Sequence, residues 1–98
     1  MSNQKVLVRT ENAGVFYGEI ESRTGNEVVM RNTRRIWYWS GAFTLSALAT
    51  RGTSDPGSCK FSCYVDSITI LGVIEIIPCT DVATKSIEGV KEWLAYKP

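Results

Sequence analysis

The chain of 98 residues contains no histidine. That single absence removes the commonest general base, the commonest zinc ligand and the usual physiological pH switch. Cysteine is scarce and odd in number, Cys59, Cys63 and Cys79, which fits a reducing compartment better than a disulfide framework. The three thiols fall short of the four ligands that structural zinc takes, and no base is at hand to activate any of them as a nucleophile. If they lie on one strand, Cys59 and Cys63 share a face as small buried residues. The longest apolar run, Ile68 to Pro78, is interrupted by Thr69, Gly72 and Glu75 and is too short to span a bilayer. The first residues, Met-Ser-Asn-Gln-Lys, lack the apolar core of a secretion signal. No strand-glycine-lysine-helix spacing forms a phosphate loop. These absences lead to the expectation of a non-enzymatic, cytoplasmic protein with no metal, no cofactor and no membrane partner.

Net charge is also nearly absent, +1 over the whole chain, so no global field favours nucleic acid or membrane. Its distribution is uneven. Positions 31–60 carry Arg31, Arg34, Arg35, Arg51 and Lys60 against Asp55 alone, while the flanking thirds are slightly acidic. Acidic residues elsewhere are scattered; Glu19 and Glu21 read as exposed strand charges that keep an edge soluble.

The length suits one domain, residues 1–98. Val6–Thr10 alternates as a short strand, and Glu11–Gly14 has the composition of a turn. A second strand follows over Val15–Ser22, with Gly18 marking a bulge or bend. Thr24-Gly25-Asn26 predicts a tight hairpin, and Glu27–Arg31 the returning strand. After an interruption at Asn32-Thr33, Arg34–Trp39 is again rich in strand formers. Thr44 and Gly52 bracket a short helix over about 44–51, with Leu45, Leu48 and Ala49 on its apolar face. Cys59–Val65 alternates weakly, Asp66-Ser67 reads as a turn, and Ile68–Leu71 and Gly72–Ile77 as strands, the last well buried. Thr80 and Gly89 bracket a second helix over about 80–88, and Val90–Tyr96 reads as a final extended segment anchored by Trp93 and Leu94. The expected fold is α+β and mostly β. It is either a small, strongly bent antiparallel sheet or an SH3- or Sm-like barrel with the first helix inserted.

What the chain does have is Arg34-Arg35-Ile36-Trp37-Tyr38-Trp39-Ser40-Gly41-Ala42, which holds two of its three tryptophans. On a strand, Arg35, Trp37 and Trp39 share one face and Arg34, Ile36 and Tyr38 the other. Three readings stand side by side. Both tryptophans belong to the core with an arginine lid; or the stripe is a protein or self-association interface, where Trp, Tyr and Arg are enriched; or it stacks bases and nucleotides. Candidate ligand- or partner-binding residues are Arg34, Arg35, Trp37, Trp39, Arg51 and Lys60.

That run, with Leu45-Ser46-x-Leu48-Ala49-x-x-Gly52, Cys59-Lys60-Phe61 and Ile74–Thr80, resembles a family of small uncharacterised phage- and prophage-encoded proteins. The likeness covers about Val6 to Trp93. It implies a phage accessory protein in the cytoplasm of the infected host and supplies no catalytic residues. By analogy with such proteins, the expectation is a homo-oligomer that binds a host protein or a nucleotide-like anionic small molecule, countering host defence. The alternative is a small barrel that binds single-stranded nucleic acid.

Overall fold

The computed structural model describes residues 4–93. Five strands form one antiparallel sheet: β1 (Lys5–Thr10), β2 (Val15–Thr24), β3 (Glu27–Tyr38), β4 (Lys60–Ile70) and β5 (Val73–Pro78). Two helices, α1 (Leu45–Arg51) and α2 (Asp81–Glu88), complete a small α+β fold dominated by strand. The sheet order is β4-β3-β2-β1-β5.

That order forces the sheet to curl. β4 and β5 lie at opposite edges of the sheet, yet only Leu71 and Gly72 separate them in the chain. In a flat sheet four strand spacings would set these edges about 19 Å apart. Three Cα steps from Ile70 to Val73 reach at most about 11 Å. The strands therefore roll up until the two edges approach at this end. There Val73 pairs with Thr10, its amide donates to the Asn26 carbonyl, and the Glu11 amide donates to Gly72. The result is the bent meander anticipated for a small barrel, with no ladder joining β4 to β5 among the described residues.

Curling gives the sheet two buried faces. On the concave side Val6, Val8, Phe16, Val28, Met30, Ile70 and Val73 pack together, drawn from all five strands and from neither helix. On the convex side Leu7, Tyr17, Ile36 and Phe61 pack under Leu45, Leu48 and Ala49 of α1 and Ala83 and Ile87 of α2. Each buried side chain of the size of Phe16 or Met30 contributes about 1.5–3 kcal/mol.

Both helices begin on threonines that accept the amide three residues on, Thr44 from Ala47 and Thr80 from Ala83. This is the capping chemistry visible in the sequence. Gly18 is needed for a close approach: a methyl group there would come within 2.9 Å of the Thr33 Cα on β3. The β2–β3 register shifts at this point, where Asn32 adopts φ 49°.

Three expectations about strands need correction. β3 is not interrupted at Asn32-Thr33, because the left-handed asparagine absorbs the irregularity as a bulge within the ladder. Asp66-Ser67 is not a turn: β4 runs straight through it, with Ser67 opposite Arg31 and the Asp66 carbonyl accepting from Arg31 Nε. β5 is an edge strand with Ile74 exposed, where a well-buried strand was expected. The final segment shows a single bridge, Phe61 to Glu92; Leu94–Tyr96 lie outside the described residues.

Candidate functional site

Arg34 and Arg35 leave β3 on opposite faces. Arg34 is 2% exposed on the convex side. Its Nε donates to the Ser62 carbonyl at 3.1 Å, and one terminal nitrogen donates to the carbonyls of Ile87 and Val90 at 3.2 and 2.9 Å. The guanidinium also lies 5.2 Å from the Phe61 ring centre and 4.7 Å from that of Tyr64. A cation at the C-terminal end of α2 is favoured by the helix dipole as well as by these carbonyls. Arg34 is thus a fastener between β3, β4 and α2. Its buried guanidinium is out of reach of an outside ligand, which corrects its assignment to the binding surface.

Arg35 stands on the concave side and is exposed. β2 and β3 place it opposite Phe16, and its guanidinium lies over that ring at 4.8 Å from the centroid. Among the described residues it forms no side-chain hydrogen bond and no ion pair, unlike Arg9 with Glu75 and Arg31 with Glu21. Its donors are therefore held in place and free.

Trp37 follows on the same strand and is 63% exposed. Its ring meets Trp93 at 4.8 Å between centroids, tilted by 47°. Trp93 reaches it because the Trp93 amide donates to the Phe61 carbonyl at 2.9 Å, which holds the end of the described chain against β4. Lys60, opposite Tyr38 at the start of β4, sits among three rings, with Nζ 5.5 Å from Trp37, 5.8 Å from Tyr38 and 5.2 Å from Trp93. Cation–π contacts at this exposure contribute about 0.5–1 kcal/mol each. Arg35, Trp37, Lys60 and Trp93 line one groove of about 480 Å³ with Phe61, Ser62, Cys63 and Glu92. Beyond Arg35 it continues into an apolar trough formed by Phe16, Thr33, Val65 and Ile68.

The other two candidates lie elsewhere. Trp39 follows the last residue of β3 and turns inward against the convex core, so the expected stripe ends at Trp37. Arg51 occupies the last turn of α1, where it faces the helix dipole and borders a separate hollow with Gly41, Ala42 and Phe43. Cys59 is buried just before β4 while Cys63 is exposed in the groove, so the two thiols do not share a buried face. All three cysteines are free, and no group of three or more Cys, Asp or Glu among the described residues is placed to hold a metal.

Two groove residues escaped the sequence reading in different ways. Trp93 was visible only as an anchor, since nothing in its own segment reports that it ends beside Trp37. Phe16 carried a usable signal: a two-residue turn at Gly25-Asn26 pairs Thr24 with Glu27, and equal counts back along both strands arrive at Phe16 and Arg35.

Comparison with protein-family models finds a match over residues 3–87 to the family described as Domain of unknown function (DUF6948). The chain belongs to this family. No curated protein and no solved structure matches the DUF6948 chain. No helix among its described residues is long and apolar enough to cross a membrane.

Proposed function

We propose that the DUF6948 chain is a non-enzymatic phage accessory protein that binds a host protein in the cytoplasm of the infected bacterium by seating an anionic group on Arg35. The phage setting draws on the resemblance carried by Arg34–Ala42. Countering host defence is the role that setting suggests. The observation that supports anion binding most directly is the Arg35 guanidinium. It lies over the Phe16 ring, with no acceptor among the described residues, at the junction of an aromatic platform and an apolar trough. A guanidinium so held presents paired N–H donors to a carboxylate or phosphate, Trp37 supplies an aromatic contact of the kind enriched at protein interfaces, and Lys60 adds a second positive charge.

A second reading is a nucleotide-like small molecule or single-stranded nucleic acid. The exposed Trp37 ring beside Lys60 favours it, since a base stacked there would gain about 1–3 kcal/mol.

Tryptophan fluorescence separates these readings. The first predicts that a glutamate-rich peptide shifts the emission with an affinity that falls as salt rises. Arg35→Ala should weaken binding by about 1.5–3 kcal/mol while lowering the melting temperature by no more than a few degrees. Unaltered binding by Arg35→Ala removes the proposal. Stronger quenching by oligothymidylate or a mononucleotide than by the peptide selects the second reading.

A further inference from the structure

We infer that the partner presents an extended acidic segment that adds as a strand to the outer edge of β4, continuing the groove beyond Lys60. The inference rests on the reading of Arg35 as an anion anchor and names the form of the ligand.

β4 is the last strand of the sheet and has no neighbour on its outer side from Tyr64 to Thr69 among the described residues. Natural edges are usually blunted by lysine, proline or short length. From Ser62 to Ile70 this edge has neither lysine nor proline, with Asp66 its one charge, and Tyr64 and Val65 are exposed. The described chain itself makes one isolated bridge to this edge, just before its open part. Glu92 forms a parallel bridge with Phe61, and the neighbouring Trp93 amide donates to the Phe61 carbonyl. Side chains on this added segment, Glu92 and Trp93, line the same groove as Arg35 and Lys60. A carboxylate and an aromatic ring carried on this segment thus line the groove with the two cations, the ring in contact with Lys60.

A partner strand farther along β4 would find main-chain donors and acceptors at its own spacing. Its alternate side chains would fall over Val65 and Ile68 and toward Arg35. Neither Arg35 nor Lys60 has a carboxylate partner among the described residues, so acidic side chains complement the end of the edge nearest Lys60–Cys63, away from Asp66. A nucleic-acid strand fits it less well. Bases and phosphates do not reproduce the alternation of amide and carbonyl, and two cations in a chain of net charge +1 neutralise few phosphates.

The test uses a blocked hexapeptide alternating glutamate with valine, the same peptide N-methylated at alternate amides, and oligothymidylate, read by amide hydrogen exchange and fluorescence titration. Among Tyr64–Thr69, the alternate amides that are not bonded to β3 and so face the outer edge should exchange rapidly in the free protein and slow at least about tenfold with the peptide. N-methylation and Arg35→Ala should each weaken binding by about tenfold or more. If the N-methylated peptide binds as tightly as its parent while Arg35→Ala abolishes binding, strand addition is wrong and the anion site survives. If Arg35→Ala changes nothing, the anion reading itself fails. Protection of this edge in the free protein would mean that the chain or a second copy already occupies it, and protection by oligothymidylate alone would point to nucleic acid; either result overturns the inference.

Discussion

Neighbouring guanidiniums on β3 meet different surroundings because a strand alternates its faces. Arg34 enters a dry convex layer where its donors meet the carbonyls of Ser62, Ile87 and Val90; Arg35 lies on the concave side against Phe16. Removing the first strips a buried set of carbonyls of their donor. Arg34→Ala should therefore cost about 3–5 kcal/mol in urea unfolding, whereas Arg34→Met, which restores packing against Phe61 and Tyr64 but supplies no donor, should recover only the smaller, apolar part of that loss. Arg35→Ala should cost under about 1 kcal/mol. The alternation itself was legible in the sequence, and so was the separation of Arg35 and Trp37 from Ile36. Which of the two faces lay open was not. Arginine is usually solvated, and only the arrival of α2 from fifty residues later buries Arg34. Trp39 misled for a related reason, since the alternation rule lapses once the chain leaves the sheet at Tyr38.

At the level of elements, the helices were readable because caps are local chemistry: Thr44 with Gly52, and Thr80 with Gly89, mark both ends. Their mutual docking was not readable. Thr80 does more than cap α2, for its hydroxyl donates to the Thr50 carbonyl at 2.7 Å and its amide donates to the Ala49 carbonyl at 3.0 Å. Thr44 makes only the cap contact among the hydrogen bonds of its side chain. Thr44→Ala should cost about 1 kcal/mol, and Thr80→Ala about 1 kcal/mol more, a difference measurable by parallel chemical denaturation. The misread turn at Asp66-Ser67 has an equally physical source. Two polar residues in succession look like a break in a strand, but on an exposed edge such a pair costs nothing, and Arg31 takes the Asp66 carbonyl.

For the whole molecule, the lack of histidine shifts pH sensitivity to the alkaline side. Burial raises Cys79 from its ordinary value of 9.0 to about 11. Burial and the hydrogen bond to Glu88 hold Tyr17 far above the usual phenol range. Burial alone would lower Lys5, yet its pKa is raised because the Glu19 hydrogen bond and charge, with Glu88, outweigh that effect. Each of these groups has a folded-state pKa above its unfolded one. Their contribution is complete below the unfolded pKa and is lost as pH rises toward the folded one. Thermal unfolding at pH 7, 9 and 11 should show a falling melting temperature above about pH 9, and Cys79→Ala should flatten the portion between 9 and 11.

The two-residue link at Leu71–Gly72 also orders the events of folding. β1, β2 and β3 are joined by short turns, so their pairing is cheap in entropy, and β4 returns to β3 after the connection that carries α1. Among the described residues β5 finds its only ladder on β1, about seventy residues earlier in the chain. The link cannot reach that position until the intervening strands have rolled up. Shortening Leu71–Gly72 would leave the meander intact and stall the seam, separating early sheet from late closure in a chain that otherwise completes both together.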